Sequence, residues 1–541
     1  MQATSQMRSG QKPRKIADKI DRSADYDVVI VGGAFSGSSS AILLKRTLPD
    51  LRILIIERSE VFDRKVGEST SEVAGCFLTR VLKVGMHLSR QHVAKHGLRL
   101  WFHRNGGDDP AASTEIGPVY QVRVSTFQLN RVVLDGELLG QALELGCELV
   151  RPATIKKLDL GGVGKNGVTY RTAGGETREI TAGWVIDASG KSCMIAKQRK
   201  TWHSHTEAHP TSAMWTRFQN VCSLDSAEGV AKLEGASSRM VTQRNFATNH
   251  LMGYGWWCWI IPLDNGEVSA GLTWDQRLFT PPAGDSMSER VKKHLLQHPI
   301  GRVMFENATA VENDNRYYKG LAYYSDEVAG EGFTQVGDAT GFMDPLYSQG
   351  LDFCAHTVYS SFALIRDYYA GDCECLESEV AAKNSEFTTS YFRWFESLYR
   401  DKYYYLGDAE IMRAAFFLDI GTYFVGPVKL VLINEEGFSK LPYHGRIGGL
   451  FARFMSFYNR RFVVLAHKKI AAGTYGNKNL GHDFLIPQSF TPGVPALKLL
   501  MKGIRFWLTA EVRYLFTRPA AVAVEPTESN PLPPEMVPAR S

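Results

Sequence analysis

The pattern of the chain begins with an unbroken apolar run, Val28 to Val31, just after Asp27. It is followed by Gly32-Gly33-Ala34-Phe35-Ser36-Gly37 and small residues through Ala41. β-Branched residues without polar alternation predict a strand buried on both faces, as in a parallel sheet, and the glycines predict a tight turn into a helix. Leu51 to Ile56 is the next apolar run and ends at Glu57. Together these segments predict a βαβ unit. Two later apolar runs also end in acidic, glycine-containing turns: Trp184-Val-Ile-Asp187-Ala-Ser-Gly190 and Phe333-Thr-Gln-Val-Gly-Asp338-Ala339. Between them, residues 200–330 alternate β-like runs, such as 212–218 and 267–273, with turns, predicting a mixed sheet. Beyond residue 350 the pattern becomes helical and aromatic-rich, at 391–395 and 403–405, which predicts helix-packing core. Residues 1–24 are polar and basic and are expected to form a loose arm; the proline-rich residues 518–541 are expected to form a loose tail.

The first βαβ unit has the spacing of a dinucleotide site. Gly32 and Gly37 bracket the turn, with Ala34 at the position of the middle glycine, and Glu57 follows Gly32 by 25 positions. That arrangement places a pyrophosphate on the helix N-terminus and a carboxylate on ribose hydroxyls. Composition narrows the class. With 541 residues, 44% of them hydrophobic, the chain can bury a large core, and 62 basic against 57 acidic groups give a net charge of only +5. That balance does not point to nucleic acid, though it is compatible with an acidic partner such as a carrier protein. The eight cysteines lack zinc-ligand spacing and read as buried thiols in a reducing compartment. No run of about 18 apolar residues suggests a membrane span. Residues 1–24 lack the apolar stretch of a secretory signal, so a cytoplasmic location is expected.

Two further motifs make the reading specific. Trp257-Cys-Trp259-Ile-Ile-Pro262 fits W-x-W-x-I-P, and Phe342-Met-Asp-Pro-Leu-Tyr-Ser348-Gln349-Gly350 fits F-x-x-P-x-x-S-x-G. With the opening βαβ unit, they make the chain resemble the flavin-dependent halogenases from residue 27 to about 365. The resemblance implies an α/β fold: an FAD-binding Rossmann-like domain (25–200, closed by 331–370), an inserted mixed β-sheet substrate domain (201–330) and a helical C-terminal region (371–517). It implies FAD, as FADH2, together with O2 and chloride or bromide. It also implies cofactor contacts from Gly32, Ala34, Gly37, Glu57, Gly67, Glu68, Arg131, Asp187, Asp338 and Gly350. Val66-Gly67-Glu68-Ser69 resembles the family's mobile flavin strap, and Asp338 reads equally as a helix N-cap. Ser348, Gln349 and Gly350 resemble the halide site, where exposed amides at a helix start hold an anion. Trp257 and Trp259 resemble the barrier that keeps organic substrate from the flavin.

In Lys95-His-Gly-Leu-Arg-Leu-Trp-Phe102 the resemblance implies a lysine that opens a strand and acts as the catalytic amine, with Lys65 as its rival. A lysine facing an apolar pocket can hold hypohalous acid or become a haloamine, and desolvation lowers its pKa. Tryptophan halogenases place glutamate where this chain has Tyr347. The sequence here looks closer to halogenases of phenols, which activate their own ring on ionising. A second glycine-rich βαβ unit for NAD(P)H is missing from the pattern, so a separate flavin reductase is the expected partner. The substrate is expected to be a small aromatic, free or carrier-tethered. An FAD-dependent hydroxylase is the first rival reading, distinguished by indifference to halide. A polyprenyl reductase-type flavoprotein is the second, kept open by the basic, partly amphipathic segment 496–516. A non-catalytic flavin- or carrier-binding module is the third.

Overall fold

The computed structural model describes residues 13–519, apart from 19, 105–107, 234–242 and 487–490. Five strands run parallel in the order Phe333–Gln335, Thr177–Asp187, Tyr26–Val31, Ile53–Ile56 and Glu148–Val150. The central strand shows why its sequence lacks polar alternation. Val28 and Ile30 pack into one core with Ile42, Leu134 and Val358 from helices, whereas Val29 and Val31 pack on the other face against Ile155, Leu158 and Val168 of an antiparallel hairpin. Both faces are covered, so both must be apolar. The turns after three of these strands, at 32–37, 187–193 and 336–340, gather at the carboxyl edge of the sheet, where ligands of such folds bind.

A second, nine-stranded sheet contains the expected Thr211–Gln219 and Val268–Asp275, with Trp256–Pro262 beside the latter. It is wider than residues 201–330. Leu98–Phe102, Thr114–Pro118 and Asp483–Ile486 join it, the first by parallel pairing with Thr248–Gly253. Such pairings link segments about 150 and 370 residues apart, which local periodicity cannot register. The N-terminal arm is also shorter than expected. From Arg14 onward the chain is docked: the Arg14 N–H donates to the Thr47 carbonyl at 2.7 Å, and Arg22 and Arg52 share the buried Asp27 carboxylate. Residues 1–12, and all of the tail beyond 519, lie outside the described residues.

The C-terminal region is helical, as expected, with its main helices at Leu376–Leu398, Ala409–Tyr423, Gly445–Ala471 and Val494–Arg513. Tyr391, Tyr403 and Tyr405 are fully buried, so the aromatic runs are core. A continuous helical stretch, Ala409–Ile433, is long and apolar enough to cross a membrane, but 56% of its 18-residue apolar window (mean hydropathy 1.6) is buried within the protein.

Charge ties the strap to the second sheet. Arg217, buried in the second sheet, pairs with Glu68 of the strap and, at 3.1 Å, with Glu267. Replacing Arg217 with methionine would leave the buried Glu68 carboxylate without its cation, while Glu267 would keep Arg64 at 3.1 Å. We expect a loss of about 3–5 kcal/mol, read as a lowered thermal midpoint and a shallower resistance to urea.

Candidate active site

Lys95 is reached by a route the sequence did not show. It ends a short strand, Val93–Lys95, rather than opening Leu98–Phe102, because Gly97 with φ +86° turns the chain between the two. Antiparallel pairing to Thr126–Gln128 fixes its backbone, and the Thr126 hydroxyl donates to the Lys95 carbonyl at 2.6 Å. The side chain is buried. Its ammonium donates to the Thr70 carbonyl at 2.6 Å, to Ser69 Oγ at 2.8 Å and to Ser348 Oγ at 3.3 Å. Burial lowers the Lys95 pKa to about 8, against the pull of Glu72 and Asp352, which favours its charge. Lys65, the rival, packs over the Phe62 ring beside the strap and does not line this site.

Ser348 reaches the lysine because its backbone is unusual. Tyr347 and Ser348 both have left-handed φ values, +68° and +60°, immediately before the 21-residue helix Gly350–Ala370. Consecutive non-glycine residues in that region hold strain and cluster at functional sites. The turn brings Ser348 beside Lys95, two residues before a long helix, whose N-terminus favours an anion. Gln349 is pinned from the C-terminal helices: its carbonyl accepts from the Trp394 indole at 2.7 Å and the Tyr399 hydroxyl at 2.9 Å.

Lys95 lines a cavity that is partly open to solvent. One wall is Thr70, Ser71, Glu72, Gly97, Leu98 and Thr126; the other is Tyr347, Gln349, Leu398 and residues of the Ala409–Val428 stretch (Phe416, Asp419, Ile420, Tyr423 and Phe424). Two buried acids, Glu72 and Asp419, line it, and a third, Asp352, binds the lining residues Ser71 and Tyr423; each has a different environment. Asp419 accepts from Tyr347, Lys402 and Tyr458, all at 2.7–2.9 Å. Asp352 accepts from Ser71 Oγ, the Ala74 N–H at 2.8 Å and the Tyr423 hydroxyl at 2.8 Å, while burial lifts its pKa to about 6. The Glu72 carboxylate has no side-chain hydrogen-bond partner among the described residues; burial raises its pKa to about 7, partly offset by Lys95. The sequence reading missed all three acids. Glu72 lies only four residues beyond the strap glutamate, but nothing local marks it as facing a cavity.

Trp257 and Trp259 are buried in the second sheet. Trp257 donates to the Tyr403 hydroxyl at 3.0 Å, and Tyr403 donates to Asp344 of the Phe342–Gly350 segment at 2.9 Å. Trp259 donates to Ser269 at 3.3 Å, and its ring lies flat over Gly271 on the neighbouring strand, where a Cβ would come within 2.2 Å of it.

The sequence profile of the tryptophan halogenase family matches residues 27–97 and 119–395. The chain belongs to this family of flavin-dependent halogenases. Among curated relatives, it is 24% identical over 443 residues to flavin-dependent halogenase chlA of Dictyostelium discoideum, covering 74% of this chain and 69% of that one. It is 25% identical over 360 residues to monodechloroaminopyrrolnitrin halogenase PrnC of Pseudomonas fluorescens, covering 62% of this chain and 60% of that one. In fold it is similar to the solved halogenase PltM, with a TM-score of 0.70 at 18% identity over 90% of this chain and 96% of that one.

The residues present fit the family's FAD. Gly37 packs so closely on the first strand that a Cβ would lie 1.8 Å from the Gly32 carbonyl, and Gly32 itself has φ +102°. Glu57 accepts from the Gly33 and Ser59 N–H groups, each at 2.8 Å, and retains lone pairs for ribose hydroxyls. Ala34 stands between them as a non-helical N-cap. Asp338 is held against the glycine turn by Gly337, whose Cβ would strike Ser36 Oγ; among the described residues its carboxylate has only a 3.9 Å thiol contact, from Cys354, leaving it able to accept from a hydroxyl-bearing ligand. Lys191, not foreseen from sequence, lies 3.4 Å over the Tyr318 ring, and its charge acts on Asp338.

Other expected cofactor residues are engaged within the protein. Asp187 accepts from the Ser189 and Ile195 N–H groups, and Glu68 pairs with Arg217. Arg131 binds Asp135 and donates to the Val66 carbonyl at 2.9 Å; Gly67, with φ +88°, leaves room for it, since a Cβ there would meet the guanidinium at 2.6 Å. These three hold the frame and the strap. Gly350 begins the helix that follows the Tyr347–Ser348 turn.

Proposed function

We propose that this protein chlorinates or brominates a small phenol, with Lys95 delivering electrophilic halogen and Glu72 accepting the phenolic proton. The observation that carries the reading is that one cavity places a buried primary amine, hydrogen-bonded to Ser348, beside the buried Glu72 carboxylate, which no other side chain hydrogen-bonds among the described residues. Bound reduced FAD, with O2 and halide, supplies the oxidised halogen. The turn at Tyr347–Gly350 holds the halide near that source. Trp257 and Trp259, fixed through their indole N–H groups, keep the aromatic substrate in the cavity and away from the flavin. Lys95 then presents the halogen, as bound hypohalous acid or as a haloamine. Glu72 raises the electron density of the ring by removing its hydroxyl proton. In tryptophan halogenases the glutamate precedes the halide-site serine. Here Tyr347 occupies that place and is tied to Asp419.

A phenolic substrate is also supported by the neighbour PltM, solved with phloroglucinol and FAD. The parallel sheet carries one glycine-rich turn, so reduced flavin would come from a separate NAD(P)H-dependent reductase, and we place the enzyme in the cytoplasm, where such a reductase is fed. Supplied with FAD, a flavin reductase, NADH and bromide, the protein is expected to brominate phenols while leaving free tryptophan unchanged. Tryptophan turnover at a comparable rate would sink the phenol reading.

A further inference from the structure

The C-terminal helices carry a surface unrelated to the active site. The helix Val494–Arg513 buries one face through Ala496, Leu499, Gly503, Trp507 and Ala510. Its nearly opposite face is also apolar. Val494, Leu497, Met501, Leu508 and Val512 are each 52–72% exposed, and the stripe continues through Leu515 to Phe516, which is 95% exposed. At 100° per residue the stripe from Val494 to Leu515 falls within an arc of about 60° and runs for about 30 Å. A helix with two opposed apolar faces has a second partner to bury.

The charges beside the stripe identify that partner. Lys498, Lys502 and Arg505 lie along one flank of it. On the adjoining helix Gly445–Ala471, the exposed Arg446, Arg453 and Arg460 alternate at helical spacing with the exposed Leu450 and Phe457. Contacts of Phe457 with Trp507 and of Arg461 with Glu511 join the two helices. None of the six flanking cations is paired with an acid among the described residues. Residues 429–518 hold fourteen Lys and Arg against four Asp and Glu, a net of +10 in a chain whose total is +5. The mild overall balance therefore conceals a strongly basic face.

We propose that this face docks on an anionic lipid bilayer, with the stripe entering the headgroup–acyl boundary and the flanking cations meeting phosphates. A long apolar stripe bordered by cations suits an interfacial helix better than an acidic protein, which would need the cations alone. The helix lies directly over Ala409–Tyr423, where Leu418 and Gly421 abut Gly503 and Leu500, and the far side of that inner helix walls the cavity. A docked bilayer would thus lie one helix away from the substrate.

The test is cosedimentation of the full chain with vesicles of phosphatidylcholine alone or mixed with phosphatidylglycerol. Binding is expected to the mixed vesicles only and to weaken with salt. It should fall by about tenfold or more in L497E/M501E and in K498Q/K502Q/R505Q. Both variants should keep the wild-type thermal midpoint and the wild-type rate on a water-soluble substrate. Equal affinity for both vesicle types, or no binding to either, would overturn the proposal. So would a concentration-dependent dimer that L497E/M501E dissociates, which would assign the face to a second copy of the chain.

Discussion

Replacing Lys95 with alanine is expected to lower halogenation by roughly 10³-fold or more, the scale of losing a group that takes part in the chemical step. Oxidation of reduced flavin and release of peroxide should continue, because the glycine turn, Glu57 and Asp338 are untouched. Lys95→Arg separates charge from chemistry. A guanidinium keeps the positive charge but stays protonated at any working pH and cannot become a haloamine. If the amine carries the halogen covalently, arginine fails like alanine. If it only donates a hydrogen bond to hypohalous acid, arginine retains part of the rate. Halogenated product and peroxide measured in the same reactions check both variants, and halogenation surviving in Lys95→Ala would remove the assignment.

The second large effect is expected at Glu72. Glutamine there keeps shape and hydrogen bonding but cannot take a proton, so kcat toward phenols should fall by about 100-fold. The sign of the pH dependence follows from its environment. Burial raises the Glu72 pKa to about 7, and a base works only when ionised, so wild-type activity should rise with pH through about 7. In Glu72→Gln that rise should vanish. Phenols acidic enough to be ionised in the assay should be affected least. Rates across pH for two phenols of different acidity give the answer, and an unchanged acid limb in the variant would transfer the role to another group. Asp352 is a poor substitute, since all its hydrogen bonds come from Ser71, Ala74 and Tyr423 and fix it in place.

The elements legible in the sequence are those whose signal is local. The run Val28–Val31 with its glycine turn, the strands ending at Asp187 and near Asp338, and the motifs around Trp257 and Ser348 are all contiguous. Their conformations follow from their own residues. Lys95 is legible as a residue through the family resemblance, but it ends its strand instead of opening the next, because Gly97 turns the chain between the two. The substrate cavity was not legible. It forms where residues 70–72 meet residues 416–424, and no periodicity connects segments about 350 positions apart. Glu72 is called into the site by that meeting alone. The glutamate that seemed functional, Glu68, is spent on Arg217, while the one four residues later faces the cavity. The basic, apolar face at 494–516 was visible only as partial amphipathicity; its two opposed faces appear once the buried one is known.

The central claim is that this protein puts halogen, not oxygen, on an aromatic ring. Its most direct test is mass spectrometry of a phenol panel incubated with the protein, FAD, a flavin reductase and NADH, with and without bromide. A bromine isotope doublet that appears only with bromide is the predicted result. Products that gain a single oxygen, in equal yield whether or not bromide is present, would contradict the account and make the protein a hydroxylase.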